Sequence, residues 1–325
     1  MGGEDVEMLK NLSPFEIIPC DEQFVNDSLE SVLRRAETLQ NDSETVRHYL
    51  VKHLLTEQKA EQAHYTATCG TYLLFKQYHN AEKTLTLDRA NFCKHPMCPV
   101  CAWRRHLKYS KIIERTLDLG RYKNLYHIVL GVPNVVHLEK KDLMRLKERG
   151  ATFVKQKLSC LGYISNLEVV CHGRGIHPHL HILIETPEFI KNSREYVIDM
   201  SKKWMKHYIK GLDNKAEIEA RYNGFTFFLT GINRGDRQGV AQELTKYIVK
   251  GDFTSDDGEH IATIAKAIKG VRKMSSAGNF KQNMTRAKGE LLVESADKFE
   301  SLSKEQYDIL IYKFINGKYE KETIK

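Results

Sequence analysis

Three histidines alternate with other residues in the segment 177–184, whose sequence is HPHLHILI. On a β-strand alternate side chains share one face, so His177, His179 and His181 point to the same side. Two imidazoles spaced in this way suit a divalent metal, because both can converge on one ion without bending the backbone. Glu168 precedes this segment and could add an oxygen ligand, which would leave positions open for substrate. His177 is an alternative third ligand, and a purely structural histidine strand is the alternative to a metal site.

A second segment, QELTKYIVK at 242–250, combines an acid, a phenol and a lysine. On a helix over 240–250, Glu243, Tyr247 and Lys250 fall at i, i+4 and i+7, which places them on one face. A tyrosine can act as a nucleophile if a nearby cation stabilises the charge that develops on its oxygen. The alternative is an ordinary amphipathic helix in which Glu243 is exposed and Tyr247 packs.

A cysteine cluster precedes both segments. Cys93, Cys98 and Cys101 lie within nine residues, and Cys69 lies upstream of them. Four thiolates can enclose a structural Zn²⁺ tetrahedrally, and His95 is the alternative ligand if Cys69 is out of reach. Disulfides are disfavoured by the odd total of seven cysteines and by the lack of a secretory signal, whereas buried thiols without a metal remain an alternative. Core positions are predicted for the remaining three, Cys20, Cys160 and Cys171.

Length and composition limit the class of protein. The 325 residues fit roughly two domains, and a hydrophobic fraction of 41% is enough for a packed core. No stretch approaches the roughly 20 consecutive apolar residues of a membrane-spanning helix. Collagen-like and disordered compositions are also excluded. We therefore expect a globular, cytoplasmic protein.

The net charge of +8 is unevenly distributed along the chain. Residues 1–60 contain 12 acidic and 6 basic side chains, a net charge of −6, so the remaining residues carry +14. The stretches 94–111 and 266–288 contain no acidic residue. Such stretches are expected of a protein that neutralises phosphates, although a solvated face is the alternative for either one. The candidate DNA-binding residues are Arg104, Arg105, Lys246, Lys269, Arg272 and Lys273.

Hydrophobic patterning predicts the elements that must position these residues. Period-two and apolar runs predict strands at 125–132, 163–171, 177–184 and 225–231, with a turn at 173–175. Helices are predicted at 139–160, at 194–209 after an Asn192-Ser193 cap, and at 240–250. The order βαββαβ, followed by a helix, indicates an α+β protein with a ferredoxin-like, split βαβ fold. In that fold the strand 177–184 is central, two helices cover one face, and the other face is open for a ligand or a further helix.

The flanking regions are predicted to be helical. Val46, Leu50 and Leu54 form one apolar stripe after a cap at Asp42-Ser43, and a closing helix is expected at about 304–315. The predicted organisation is an acidic helical extension (1–60), a cysteine module with a basic helix (61–118), a catalytic domain (119–255) and a basic, helical C-terminal region (256–325).

Taken together, these segments resemble a known family. His179-Leu180-His181 and the segment Leu244-x-x-Tyr247-Ile248-x-Lys250 resemble the two signature motifs of HUH endonucleases. The runs CKHPMCPVCAWRR, NLEVV, HPHLHILI, ELTKY and AIKGVRKMSSAGNFK, which lie within about 69–282, resemble more narrowly the plasmid rolling-circle replication initiators with a single tyrosine. The first motif of that family is usually rich in threonine, whereas this chain has HIVLGV at 127–132.

The resemblance implies roles for individual residues. His179 and His181, with Glu168, would hold Mg²⁺ or Mn²⁺ against the scissile phosphate of a single-stranded plasmid origin. Tyr247 would attack that phosphate, leaving a 5′-phosphotyrosyl enzyme and a free 3′-OH that primes replication. Glu243 would activate water for the terminating cleavage. Lys250 would stabilise phosphate charge or the phenolate. Separately from the resemblance, a host helicase is a further candidate partner.

Two other functions compete with the replication initiator. One is a transposase or mobilisation relaxase of the same superfamily, which would act on different DNA ends. The other is a zinc-stabilised DNA-binding protein without catalysis, which would bind DNA in a salt-sensitive way and leave it uncut.

Overall fold

The structure is a computed structural model that describes residues 29–172, 175–213, 216, 224–245, 249–250 and 258–322. The chain forms two compact units, Met1–Cys101 with Leu292–Lys325, and Ala102–Leu291. Each unit contains a β-sheet and helices, so the predicted α+β class is confirmed. Among the described residues, no helix is both long and apolar enough to span a membrane.

The described elements are numbered in chain order. The helices are α1 (Leu29–Asp42), α2 (Glu44–Thr56), α3 (Ala60–Ala67), α4 (Pro99–Leu119), α5 (Lys140–Lys157), α6 (Arg194–Ile209), α7 (Arg237–Leu244), α8 (Gly258–Ile268) and α9 (Asn279–Leu302). The strands are β1 (Tyr72–Tyr78), β2 (Leu85–Ala90), β3 (Asn124–Gly131), β4 (Gly162–His172), β5 (Gly175–Thr186), β6 (Thr226–Gly231), β7 (Val249–Lys250), β8 (Met274–Gly278), β9 (Tyr307–Ile315) and β10 (Lys318–Glu322).

The sheet of the first unit has the strand order β10-β9-β1-β2. The helix predicted at 304–315 is therefore wrong, and the C-terminal region is not purely helical, because β9 and β10 occupy its end. The residues of β9 are mainly β-branched and aromatic, which favours a strand. Asn316 and Gly317 follow it with φ angles of 49° and 85°, the backbone of a two-residue Asn-Gly hairpin turn.

The N-terminal helices largely follow their sequence pattern. The stripe of Val46, Leu50 and Leu54 on α2 is buried as predicted. Ser43 precedes α2, but its hydroxyl donates to the Gln40 carbonyl and makes no capping hydrogen bond. These helices belong to the same unit as the β10-β9-β1-β2 sheet.

The sheet of the second unit has the order β6-β3-β5-β4-β7, and β8 also pairs with β4. From β3 to β6 the elements follow the predicted order βαββαβ, with strand limits within a few residues of those predicted. β5 lies between β3 and β4 and is antiparallel to both, so the histidine strand is central as predicted. β7 is the exception in direction, because it pairs parallel to β4.

Helices α5 and α6 pack on one face of this sheet. Gly150 of α5 has no side chain, and a Cβ there would lie 2.4 Å from Cδ1 of Leu180, so glycine permits the close approach of helix and sheet. Trp204 of α6 is fully buried and donates from Nε1 to the Gly131 carbonyl over 2.8 Å. The predicted cap of α6 is also present, because Ser193 accepts a hydrogen bond from the Tyr196 amide.

The opposite face carries the histidines at one end and an apolar cluster at the other. Ile164 of β4 and Leu183 of β5 pack there against buried residues of other elements, which include Ile113 of α4, Leu244 of α7 and Phe280 of α9. Helices therefore cover part of the face that the sequence predicted to be open for a ligand or a further helix.

The predicted helix over 240–250 is shorter than expected. α7 ends at Leu244, and Val249 and Lys250 form β7, paired with Val169 and Val170. Glu243 and Lys250 thus belong to different elements, and their predicted alignment on one helical face is wrong. The edge of β4 beyond its pairing with β8 offers backbone partners, and a β-branched residue such as Val249 favours the extended conformation.

Candidate functional site

Glu168, His179 and His181 bring three metal-ligating atoms to one point on the sheet. Glu168 on β4 lies directly across from His179 on β5, and His181 follows two residues later on the same face. Oε2 of Glu168 is 2.7 Å from Nε2 of His181 and 3.2 Å from Nε2 of His179. The two histidine nitrogens are 3.2 Å apart.

These distances suit a hard divalent cation. Adjacent ligands about 2.1 Å from an octahedral ion lie about 3.0 Å apart, close to the separations of the three atoms. All three residues are buried, and burial raises the pKa of the Glu168 carboxyl. Hydrogen bonds from His179 and His181 outweigh that effect and hold the pKa well below its usual range. Glu168 is therefore an anion beside the two histidines.

His127 on β3 extends this group, and the sequence did not single it out. Its Nε2 lies 3.0 Å from Nδ1 of His181, and the two rings stack with centroids 5.2 Å apart. The β3–β5 pairing places Val129 opposite His181, so the residue two before it shares the histidine face. The alternation of the predicted strand 125–132 could have placed His127 on this face, but only once the register of that strand against 177–184 was known.

His177 is not part of the converging group. Its ring centroid is 5.2 Å from that of His179, and its backbone carbonyl lies 3.4 Å from Nδ1 of His179. The His177 carbonyl can therefore accept the Nδ1 proton of His179 and orient that ring. Glu168 is the third residue that converges with His179 and His181.

The residues predicted for nucleophilic chemistry are only partly described. Glu243 lies half-buried in α7, and Lys250 lies in β7, where only its backbone is described. Lys246 and Tyr247 lie outside the described residues. Directly before residues 246–248, the buried Thr245 hydroxyl lies 2.8 Å from Nδ1 of His106 on α4.

Directly after residues 246–248, Val249 pairs with Val169, the residue next to Glu168. On the N-terminal side of the same segment, Leu244 packs in the cluster that includes Ile164 and Leu183 of the sheet. Both described flanks of residues 246–248 are therefore fixed to the sheet that carries the three converging ligands.

The four predicted cysteine ligands form a separate cluster in the first unit. The Sγ atoms of Cys69 and Cys101 are 3.6 Å apart, and Cys98 lies 3.5 Å from Cys69 and Cys93 3.8 Å from Cys101. Sulfurs about 2.3 Å from a tetrahedral Zn²⁺ lie about 3.8 Å apart, whereas a disulfide requires about 2.05 Å. The spacing suits zinc and excludes disulfides within the cluster.

Two of these sulfurs accept hydrogen bonds from backbone amides. The Lys94 amide donates to Sγ of Cys101 over 3.2 Å, and the Cys93 amide donates to Sγ of Cys69 over 3.3 Å. The hydrogen bond with Cys101 is the main cause of two opposite shifts. It raises the pKa of Cys69 and lowers the pKa of Cys93. A bound Zn²⁺ would favour the deprotonated form of all four thiols.

The other cysteines and His95 are distinct from this cluster. Nδ1 of His95 accepts the Met97 amide over 3.2 Å, and the four converging groups are all cysteines. Cys171 is buried as predicted. Cys160 is half-buried, and burial raises its pKa to about 11. Cys20 lies outside the described residues.

One basic residue, Lys273, lies beside Glu168 in the second unit. The Lys273 carbonyl accepts the Leu167 amide over 3.1 Å, which fixes its backbone next to the ligand. Burial and the charge of Arg105 lower the pKa of Lys273 to about 7, although Glu168 opposes them. Arg104 and Arg105 lie half-buried on α4, and Lys269 and Arg272 are exposed. The neighbouring positive charges of Lys273 and Arg105 favour an anionic ligand.

An exposed aromatic ring lies on the same face of the sheet. Phe228 of the edge strand β6 pairs with Val129, which in turn pairs with His181, so the three form one row across the sheet. With strands about 4.8 Å apart, Phe228 is about 10 Å from His181. Its relative exposure is 58%, which is high for a phenylalanine.

The family model and the curated relatives that match this chain are all described as replication or rep proteins. Residues 84–320 match the family described as Replication protein. A protein named Protein rep from Lentilactobacillus hilgardii is 26% identical over 242 residues, which cover 68% of this chain and 74% of that protein. A Protein rep from Lactiplantibacillus plantarum is 26% identical over 245 residues, with the same coverage of both chains. A Protein rep from a Bacillus species is 33% identical over 134 residues, or 38% of this chain and 43% of that protein. No solved structure matches this chain.

Proposed function

Because the chain belongs to the Replication protein family, we propose that it initiates plasmid rolling-circle replication by nicking and rejoining single-stranded origin DNA in the cytoplasm. The observation that carries this proposal is the convergence of Glu168, His179 and His181 on one point of the sheet. The strand order β6-β3-β5-β4 supports the ferredoxin-like arrangement expected for an HUH endonuclease. Lys273 beside Glu168, its neighbour Arg105 and the exposed Phe228 support DNA as the ligand.

The three converging side chains would hold Mg²⁺ or Mn²⁺ with the scissile phosphate. When bound, the cation withdraws charge from the nonbridging phosphate oxygens, which lowers the barrier to attack at phosphorus. His179 and His181 would each present Nε2, and Glu168 would present Oε2. Their fixed positions on paired strands would also orient the phosphate, and orientation alone can contribute roughly 7–11 kcal/mol.

Tyr247 is proposed as the nucleophile. Its oxygen would form a bond to phosphorus as its proton leaves, and the bond from phosphorus to the 3′ oxygen would break. That oxygen takes up a proton and becomes the free 3′-OH, while the 5′ phosphate stays on the tyrosine. Attack of the same 3′-OH on the phosphotyrosyl bond would rejoin the strand. Lys250 is proposed to stabilise phosphate charge or the phenolate.

Glu243 is proposed to act when replication ends. It would accept a proton from water as the water oxygen attacks phosphorus of the regenerated origin, so no second tyrosine would be needed. Its half-buried position on α7, four residues before Tyr247, is compatible with that role. The Glu243→Gln variant should keep initial nicking and lose terminating cleavage. Equal loss of both steps would argue against this role.

Covalent capture of DNA tests the proposal directly. Wild-type protein, incubated with a single-stranded origin oligonucleotide and Mn²⁺, should give a peptide–DNA adduct at Tyr247 in mass spectrometry. The Tyr247→Phe variant should give no adduct, whereas Tyr65→Phe, which changes an exposed tyrosine of α3, should behave like wild type. An adduct that persists in Tyr247→Phe would remove this residue from the proposed role.

The same assay separates the competing functions. Cleavage of transposon-end DNA in preference to origin DNA would favour a transposase or relaxase. Salt-sensitive binding without any strand cleavage in Mn²⁺ or Mg²⁺ would favour a DNA-binding protein that uses zinc for stability alone.

A further inference from the structure

Asn166 is a buried amide without hydrogen-bond partners in the part of the chain that the structure describes. Its relative exposure is 0%, and neither Oδ1 nor Nδ2 makes a hydrogen bond. Leaving both ends of a buried amide unsatisfied destabilises a folded protein. A fully buried amide with both ends unsatisfied requires an explanation.

The register of the sheet places Asn166 at the corner of a square of four residues. On β4 it lies two residues before Glu168, and on β5 the residues opposite these two are His181 and His179 respectively. Residues paired across antiparallel strands share a face and have Cβ atoms about 4.5–5.5 Å apart. Three corners of the square converge on one point, as the distances among Glu168, His179 and His181 show. Asn166 is the fourth corner.

The next row of the same face shows what this position would otherwise contain. Ile164 lies two residues before Asn166, it pairs with Leu183, and both belong to the apolar cluster. An apolar residue at 166 would continue that cluster at no cost in unsatisfied polar groups. The amide is therefore better explained by what lies on its other side, the converging ligands.

We propose that Asn166 is the fourth protein group of this metal centre, with its amide oxygen turned toward the cation. Oxygen ligands are those that Mg²⁺ and Mn²⁺ favour, and a neutral amide adds one without a second carboxylate beside Glu168. The inference rests on the proposed function, because that function requires a divalent cation at Glu168, His179 and His181.

Two substitutions should change metal binding and stability in opposite directions. Asn166→Leu removes the oxygen and the unsatisfied amide together. It should weaken Mn²⁺ binding roughly 10-fold or more and raise the melting temperature without Mn²⁺ by roughly 2–4 °C. Asn166→Asp adds a charge next to Glu168, so it should lower that melting temperature and strengthen Mn²⁺ binding. A residue that only supports the fold would not separate the two properties in this way.

The experiment measures Mn²⁺ affinity of the full chain by electron paramagnetic resonance, with melting curves at zero and saturating Mn²⁺. Asn124→Leu is the matched control, since Asn124 of β3 donates to the Thr186 carbonyl in the same sheet. It should lower the melting temperature and leave Mn²⁺ affinity unchanged. His179→Ala should abolish binding.

The outcomes are distinct. Wild-type Mn²⁺ affinity in Asn166→Leu would overturn the role of Asn166 and leave the metal centre intact. If Asn166→Leu fails to fold, Asn166→Asp decides, because unchanged or weaker Mn²⁺ binding in that variant overturns the inference. Equal binding by wild type and His179→Ala, or none by wild type, would overturn the cation site itself and with it both proposals.

Discussion

His127 and His181 lie on neighbouring strands and meet through Nε2 of the first and Nδ1 of the second, 3.0 Å apart. A histidine that binds a metal through Nε2 carries its proton on Nδ1. In that state His181 donates to Nε2 of His127, which fixes the tautomers of both rings. Partners of this kind orient metal-binding imidazoles and raise their basicity.

His127→Ala should therefore weaken Mn²⁺ binding by roughly 10-fold to 100-fold, the usual effect of losing such a partner. Mn²⁺ titration followed by electron paramagnetic resonance measures this change. The control is His64→Ala, which alters an exposed histidine of α3 in the other unit. Unchanged Mn²⁺ affinity in His127→Ala would show that His181 needs no support from β3.

The exposed ring of Phe228 should contribute to binding of single-stranded DNA. Stacking of one base on an aromatic ring contributes roughly 1–3 kcal/mol, so Phe228→Ala should weaken binding by about 5-fold to 150-fold. Fluorescence anisotropy with a labelled oligonucleotide measures the change. Phe189→Ala is a suitable control, because Phe189 is also highly exposed, at 77%, but lies outside the strands of the sheet. Equal losses in the two variants would contradict a specific base-stacking position.

Lys273 should make DNA binding depend on pH. Its pKa is about 7, so the side chain is charged below that pH and loses its charge above it. DNA affinity should therefore fall between pH 6.0 and 8.5. In single-strand binding, the loss of one phosphate contact should make the slope of log affinity against log salt shallower by about 0.7. The measurement is anisotropy at both pH values without added divalent cation.

Lys273→Arg keeps its charge throughout this range and should show a weaker dependence on pH than wild type. Lys269→Arg, at an exposed lysine after α8, should retain the wild-type dependence. If Lys273→Arg follows the wild-type curve, other groups account for the change with pH.

The cysteine cluster should bind one Zn²⁺ per chain and stabilise the first unit. Cys98→Ser removes one of four converging sulfurs, so it should lose most bound zinc and lower the free energy of unfolding by at least about 3 kcal/mol. Elemental analysis and denaturant unfolding measure these effects. Cys160→Ser changes a cysteine outside the cluster and should retain both zinc and stability. A wild-type protein that contains no zinc after expression in zinc-replete medium would contradict the assignment.

The strands and helices around the site were predictable because their signals are local. The alternation of HPHLHILI predicted β5 and its shared histidine face, and Ser193 predicted the start of α6. The spacing of Cys93, Cys98 and Cys101 grouped three of the cysteines, whereas the choice between Cys69 and His95 as the fourth member needed the structure. The resemblance of the motifs to replication initiators is confirmed at the level of the family.

Other features depended on contacts distant in sequence. The positions of Asn166 and His127 beside His181 depend on the register of β4 and β3 against β5. No single segment of the sequence encodes that register. The helix predicted through Lys250 failed because the edge of β4 provides a partner for Val249. The segment 304–315 was misassigned, although Asn316-Gly317 is a strong hairpin signal.

The pairing of β1 with β9 joins residues 72–78 to residues 307–313, more than 200 positions later in the chain. As the polypeptide leaves the ribosome, β1 can form a hairpin with β2 early, but its other edge stays uncovered until the last strands are synthesised. A premature stop before residue 307 would release a chain with that edge exposed and prone to self-association.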